Sequence, residues 1–263
     1  MPLAEHSHFV ARAIEQLATD PRIVGLGVGG SWIERQMDQF SDLDLVVVID
    51  PAHVASVMSS RREVAATLGT LLSSFTGEHV GEPRLLICLY GDPLLHVDLK
   101  FVSLPEVADR VEDPEVLWDR SGDVTKIIGA TTALFPPVNV QQLEDRFWVF
   151  TQYAASKLGR GELFEVIDFL AFLRDNVLGP MCAAKHGRQA RGVRKLEQFA
   201  GEDQARFVAT LAGTDRGACG TALLAAVEFY RDLRAVLSTP NLVLRTEAER
   251  AAVAYLKDVV GRV

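Results

Sequence analysis

Two adjacent prolines, Pro136-Pro137, divide the chain into stretches with different hydrophobic periods. A pattern repeating about every 3.6 residues suits a helix face and one alternating every two suits a strand, so this division sets the architecture. Upstream the periods are mixed. Phe9, Val10, Ala13, Ile14 and Leu17 recur at helical spacing, Ile23 to Val28 runs as a strand into glycines, and Leu45 to Ile49 is a continuous β-branched apolar run. Arg84 to Tyr90 and Leu94 to Val102 flank Gly91-Asp92-Pro93 as the arms of a hairpin, while Val54 to Phe75 reads as one or two helices broken near Ser59-Ser60. The expected order is α-β-α-β-α-β-β, a mixed sheet with helices. Downstream only helical periodicity is found, in Val140 to Leu158, Glu162 to Leu178, Gln204 to Leu211, Ala218 to Leu237 and Glu247 to Val260, with Gly159-Arg160-Gly161 and Gly179-Pro180 as punctuation. The sequence thus predicts an α+β domain over residues 1–135 and an all-helical C-terminal bundle over 136–263, joined near Ala133 to Val138.

With 263 residues, 48% hydrophobic and 24% charged, the chain has the makeup of a soluble globular protein with a sizeable core. No stretch reaches the roughly 18 uncharged apolar residues of a spanning helix. The opening Met1-Pro2-Leu3-Ala4-Glu5-His6-Ser7-His8 lacks the regions of a secretion signal, so a cytoplasmic location is expected. His6-x-His8 reads as part of a frayed terminus. Cys88, Cys182 and Cys219 are odd in number, far apart and set in apolar surroundings, so reduced core thiols are expected rather than bridges or a zinc site. The net charge of -8 argues against a nucleic-acid binder, which needs excess cations against phosphate. Residues 1–135 carry 10 Lys+Arg against 20 Asp+Glu, whereas 136–263 carry 17 against 15, which points to two halves with different jobs.

The chemistry is concentrated in Gly29-Gly30-Ser31, a short helix of about two turns expected after it, and Asp42-Leu43-Asp44 at the head of the next strand. Positions i and i+2 of a strand face one side, so Asp42 and Asp44 project together, and two like charges that close call for a cation with hard oxygen ligands. In Leu94 to Val102, Leu95, Val97, Leu99 and Phe101 fall on one face and His96, Asp98 and Lys100 on the other. If this strand lies beside the first, three carboxylates converge around one or two metal ions, an arrangement suited to phosphoryl or nucleotidyl displacement. The glycines let backbone N–H groups and the Ser31 hydroxyl approach a phosphate, helped by the field of a helix N-terminus.

Val28-Gly29-Gly30-Ser31, a gap of about ten residues and Asp42-Leu43-Asp44-Leu45 resemble the pattern of the nucleotidyltransferase superfamily, with Asp98 matching its third acidic strand. With a helical second half, the layout is most similar to antibiotic nucleotidyltransferases, which adenylylate aminoglycosides or lincosamides. The specific match spans Gly25 to Lys100. The resemblance implies a nucleotidyltransferase-type mixed sheet in which Asp42, Asp44 and Asp98 hold Mg2+ and Gly29, Gly30 and Ser31 hold the triphosphate. Asp98 is then a metal ligand, the general base, or both. A nucleoside monophosphate, AMP from ATP, moves to a hydroxyl of a small-molecule acceptor, an antibiotic being one class, and pyrophosphate leaves. Lys157-Leu158-Gly159-Arg160-Gly161-Glu162 is similar to segments that present a lysine to ATP phosphates, which adds Lys157 to the nucleotide-binding set. Because a carboxylate on Mg2+ is a poor base, Glu144 or Glu162 could take the proton instead. The implied partners are a nucleoside triphosphate and the acceptor, with no nucleic acid and no membrane.

Other readings compete. Gly25, Gly27 and Gly30 fit G-x-G-x-x-G after a strand, and Asp50 follows Gly30 by 20 residues, as in an NAD(P)-binding oxidoreductase. About ten residues between Ser31 and Asp42 are too few for a crossover helix with its loops, however, and Asp42 and Asp44 are then idle. A regulatory protein or antitoxin of the nucleotidyltransferase fold, acting on a partner protein, is a second alternative. The plainer readings are a solvated acidic strand start, an Asp98 salt-bridged to Lys100 or to a neighbour, a solvated surface for Lys185, His186, Arg188, Arg191, Arg194 and Lys195, and a bundle core for most of Phe147, Trp148, Phe150, Tyr153, Phe164, Phe169 and Phe172. The dinucleotide reading separates from the first by mutation. Asp50→Ala is expected to cost about 0.5–2 kcal/mol as a lost cap and to leave nucleotide transfer largely intact, whereas Asp42→Asn abolishes transfer; NAD affinity that responds to Asp50 and not to Asp42, read by calorimetric titration, reverses the assignment.

Overall fold

A computed structural model describes residues 3–262 and divides into two compact units, Met1–Phe135 and Pro136–Val263. The first begins with α1 (Ala4–Thr19), which buries Phe9, Val10, Ala13 and Leu17, the stripe read from the sequence. Far from a frayed end, His6 is buried in this helix and its Nε2 meets the Ser41 carbonyl at 3.0 Å. The sheet has six strands: β1 (Ile23–Val28), β2 (Leu43–Ile49), β3 (Thr70–Gly77), β4 (Glu82–Gly91), β5 (Leu95–Ser103) and β6 (Glu115–Asp119). Their order is β3-β4-β5-β2-β1-β6, with β2 parallel to β5 and every other neighbouring pair antiparallel. Helices α2 (Val54–Ser59) and α3 (Arg61–Thr67) lie between β2 and β3, and α4 (Asp123–Ala130) follows β6.

Alternation along the strands feeds two apolar layers. Leu43, Leu45, Val47 and Ile49 of β2 and Val97, Leu99 and Phe101 of β5 join Phe9, Leu17, Val57 and Leu68 in one core. The opposite faces supply Val48 and Val102 to a smaller layer closed by Val107 and Val124. Two expectations fail here. The helix expected through Phe75 stops at Thr67, and Thr70–Gly77 is an edge strand on β4. Leu68, Leu71, Leu72 and Phe75 imitate a helical stripe, but Leu72 and Phe75 are exposed, Gly69 follows α3, and the β4 ladder decides the backbone. Strand β6 and helix α4 also go beyond the expected order. Strand β6 pairs with β1, and Val124 of α4 and Pro114 just ahead of β6 pack where Gly25 and Gly27 leave room, since an added Cβ would meet Val124 Cγ2 at 2.7 Å and Pro114 Cβ at 3.2 Å respectively.

The regular elements of the second unit are all helices among its described residues: α5 (Val140–Arg160), α6 (Leu163–Leu173), α7 (Gly179–Lys185), α8 (Leu196–Phe199), α9 (Asp203–Ala209), α10 (Arg216–Val236) and α11 (Thr246–Gly261). Asn139 and Asp215 cap α5 and α10 by accepting from Gln142 N and Ala218 N. Gly161 ends α5 at φ +76°, its N–H donating to Leu158 O while Glu162 N donates to Lys157 O, the paired bonds of a Schellman stop. Gly179-Pro180 is not a break. The widened π turn Arg174–Leu178 carries α6 into α7, absorbing the N–H that Pro180 lacks. Phe147 and Trp148 are core residues, with Phe147 stacked on Tyr230 at 3.7 Å, but Phe164 is 85% exposed. No helix among the described residues is long and apolar enough to cross a membrane.

Glu144 organises this bundle. Fully buried, it accepts from Trp148 Nε1 (3.1 Å), Tyr230 OH (2.7 Å), Arg234 Nη1 (2.9 Å) and Arg245 N (2.9 Å). Both oxygens are committed, so it is structural and not the spare base considered from sequence. Burial raises its pKa, but the donors from Arg245, Trp148, Tyr230 and Arg234 together hold it below the ordinary 4.5. A depressed carboxyl stabilises the fold above the unfolded value and loses that contribution as pH falls through the folded one. Glu144→Ala, which leaves Arg234 partly stranded, is expected to cost about 3–5 kcal/mol in urea unfolding at pH 7, with a smaller deficit below pH 4.5 than above it.

Candidate active site

Parallel pairing of β2 with β5 places Asp44 directly across from Asp98. Paired positions share a face, so both carboxylates leave the sheet on the same side while Leu43 and Leu45, Val97 and Leu99 fill the core beneath. Asp42 lies one residue ahead of β2 and its charge is felt at Asp98. Burial pushes the Asp98 carboxyl up, His96 pulls it back, and Asp42 pushes it up further, with a net upward shift. The partner of Asp98 is His96, with Nε2 to Oδ1 at 2.9 Å, and not Lys100, whose ammonium sits 2.9 Å from Glu82 Oε2. Among the described residues, the three-residue group whose ligating atoms all lie within 4.8 Å is Cys182, His186 and Asp203 in the helical unit. The acids here are neighbours without a closed cage, as mutually repelling charges should be.

The glycine turn is locked onto this acidic edge. Gly29 N donates to Asp44 O at 2.8 Å, continuing the β1–β2 ladder. Gly30 turns at φ +60°, and an added Cβ would overlap Asp44 Oδ2, so the absent side chain at Gly30 is what lets Asp44 reach its position. Beyond it the expected two-turn helix is absent. Residues 30–36 form a single turn, closed by Glu34 N to Gly30 O (3.3 Å) and Gln36 N to Ser31 O (3.1 Å), with Arg35 at φ 57°. The bond spanning five residues and the left-handed Arg35 end the coil, so the aligned dipoles of a helix N-terminus are not part of this site. Ser31 is buried and its Oγ has no hydrogen-bond partner.

Sequence reasoning missed two contributors. Glu112 Oε1 accepts from Gly30 N at 3.0 Å, bringing a fourth carboxylate onto the turn from 82 residues away, where no local signal marks it. His96 was placed on the right face of its strand but given no role. Lys157 stands in the helical unit, its ammonium 2.8 Å from Glu162 Oε2 and 2.9 Å from Glu165 Oε2, over the Tyr153 ring. These bonds raise its pKa, and Tyr153 OH in turn donates to Glu165. Glu162 is thereby engaged as well.

The dinucleotide reading is corrected by the topology. Gly25 and Gly27 lie inside a central strand, paired to Val48 and Val46 of β2 and to Asp119 and Val116 of β6, and β1 runs antiparallel to β2 with no helix between. A dinucleotide fingerprint needs a parallel pair joined through a helix. Asp50 Oδ1 accepts from Ala52 N at 2.8 Å, capping the turn Pro51–His53.

No protein-family model matches the chain, and no curated protein sequence matches it significantly. Among solved structures it is similar to an aminoglycoside 6-adenyltransferase from Bacillus subtilis, with 15% identity over 95% of this chain and 97% of that one and a TM-score of 0.43. A nucleotidyltransferase-like protein from Exiguobacterium sibiricum 255-15 matches at 13% identity over 98% and 91%, with a TM-score of 0.42. A spectinomycin adenyltransferase from Enterococcus faecialis, solved with ATP and spectinomycin, matches at 11% identity over 99% and 100%, with a TM-score of 0.29.

The close fit at Gly30 is open to a controlled test. Gly81 also has positive φ, +76°, but open space around its Cβ position. Gly81→Ala is expected to cost about 1 kcal/mol from backbone strain alone, and Gly30→Ala at least about 1 kcal/mol more through displacement of Asp44. Equal losses in urea unfolding would show that the turn and Asp44 are not packed as described.

Proposed function

We propose that the chain is a Mg2+-dependent nucleotidyltransferase that moves AMP from ATP to a hydroxyl of a small-molecule acceptor in the cytoplasm. The observation that carries this is the register of Asp44 against Asp98 on parallel strands, with Asp44 packed on the glycine turn at Gly30. The donor set fits a hard divalent cation: carboxylate oxygens from Asp42, Asp44 and Asp98, grouped at one edge and uncompensated by Lys100. Bound there, Mg2+ would offset charge developing on the phosphates.

The chain's own residues do the rest. The buried Ser31 hydroxyl is free to donate to a phosphate oxygen, while the Gly29 N–H holds the turn to β2 and Gly30 packs on Asp44. Asp98, one oxygen held by His96, accepts the proton of the acceptor hydroxyl on the reading that makes it base as well as ligand. The alkoxide oxygen bonds to the α-phosphorus as the bond to the β-phosphate oxygen breaks, and pyrophosphate carries away that electron pair. The acidic first unit favours a polycationic acceptor, which places aminoglycoside-like antibiotics first.

Mg-ATP is expected to raise the melting temperature clearly more than ATP with EDTA, and Asp42→Asn with Asp44→Asn to remove that difference in a folded protein. Asp98→Asn should cut transfer of labelled AMP to an aminoglycoside panel by at least about 100-fold. Label appearing on a protein would instead identify a protein modifier, and stabilisation unchanged in the double variant would remove the metal assignment.

A further inference from the structure

Helices α7 and α9 are joined by residues 186–202, a segment containing only the short turn α8 and three glycines at positive φ, Gly187, Gly192 and Gly201. Such a segment holds its ends poorly by itself, and at those ends three side chains of unlike chemistry meet. Cys182 and His186 are one helical turn apart and so share a face, and Asp203 opens α9. Cys182 Sγ lies 3.7 Å from Asp203 Oδ2, His186 Nε2 lies 3.0 Å from the same oxygen, and all three ligating atoms fall within 4.8 Å of one another. We propose that Cys182, His186 and Asp203 bind a zinc-like divalent cation that staples α7 to α9.

Three considerations carry this. Zn–S near about 2.3 Å and Zn–N or Zn–O near about 2.1 Å in a tetrahedron put ligating atoms about 3.4–3.6 Å apart, within a few tenths of an ångström of the separations to Asp203 Oδ2. A thiolate, a neutral imidazole and a carboxylate sum to two negative charges, which a divalent cation cancels in a setting where Cys182 is fully buried. A nucleophilic role fits worse, because the thiol faces the Asp203 carboxylate rather than the His186 imidazole that would have to activate it.

Lys185 is the competing cation. Its Nζ is 2.9 Å from Asp203 Oδ1 and 2.7 Å from Oδ2, on a side chain 32% exposed that can turn to solvent. Binding therefore exchanges one ammonium for the metal, and water completes the coordination. The expectation that all three cysteines are simple core thiols holds for their burial but not for the surroundings of Cys182, because Asp203 approaches only through the fold.

The test is a Co2+ titration of the chelator-treated full chain, independent of any transferase activity. One equivalent is expected to give the near-ultraviolet thiolate-to-cobalt band with tetrahedral visible bands, both bleached by Zn2+. Cys182→Ala should abolish the ultraviolet band, and His186→Gln, a surface change that spares the fold, should weaken binding by at least about 10-fold, the loss that even outer-shell partners produce. Lys185→Ala should strengthen it. The proposal is overturned if folded wild-type protein shows no such band at saturating Co2+, or if the band and affinity persist unchanged in His186→Gln.

Discussion

Two carboxylates set side by side in a sheet repel, and the first unit is arranged around that contact. Neighbouring like charges on paired strands destabilise a sheet by an amount that cross-strand apolar pairs must offset. Here the offset lies underneath: Leu43, Leu45, Val97 and Leu99 are at most 1% exposed and hold β2 against β5 whatever happens above. The sheet pays in apolar burial for an acidic edge. Gly30 completes the arrangement, because only a residue without a Cβ leaves Asp44 its place beside Asp98.

The helical unit treats a carboxylate in the opposite way. Glu144 is more deeply buried than Asp98, yet its pKa is lowered while that of Asp98 is raised. The difference lies in the donors. Glu144 receives an indole, a phenol, a guanidinium and a backbone N–H, whereas Asp98 has His96 and the like charge of Asp42. A satisfied buried carboxylate fixes a packing arrangement; an under-compensated one keeps affinity for protons and cations.

What was legible in the sequence follows from which interactions are local. Alternation put Asp98 on the polar face of β5, the i, i+2 spacing paired Asp42 with Asp44, and helical stripes located α1, α5, α10 and α11. The edge strand β3 was hidden because its apolar spacing also suits a helix and only β4 arbitrates. Glu112 was hidden because it reaches Gly30 across 82 residues from an irregular segment. Gly25 and Gly27 misled in a different way. Read as a fingerprint, they are in fact the low places in β1 over which Pro114 and Val124 pack. Glycine spacing reports a need for closeness without saying whether the neighbour is a phosphate or a side chain.

Glu112 changes the electrostatics of the site more than its geometry. With its carboxylate on the Gly30 N–H, four acidic groups, Glu112, Asp42, Asp44 and Asp98, border a turn whose expected ligand is itself polyanionic. A bare triphosphate meets repulsion from each, and only the Ser31 hydroxyl stands as an uncommitted buried side-chain partner on the turn. A divalent cation reverses the sign of the field locally, turning the cluster from a barrier into a binding surface. Under the proposed reaction, nucleotide and cation must therefore arrive together, and discrimination against cation-free anions arises from the same crowding of carboxylates that makes the edge costly to fold.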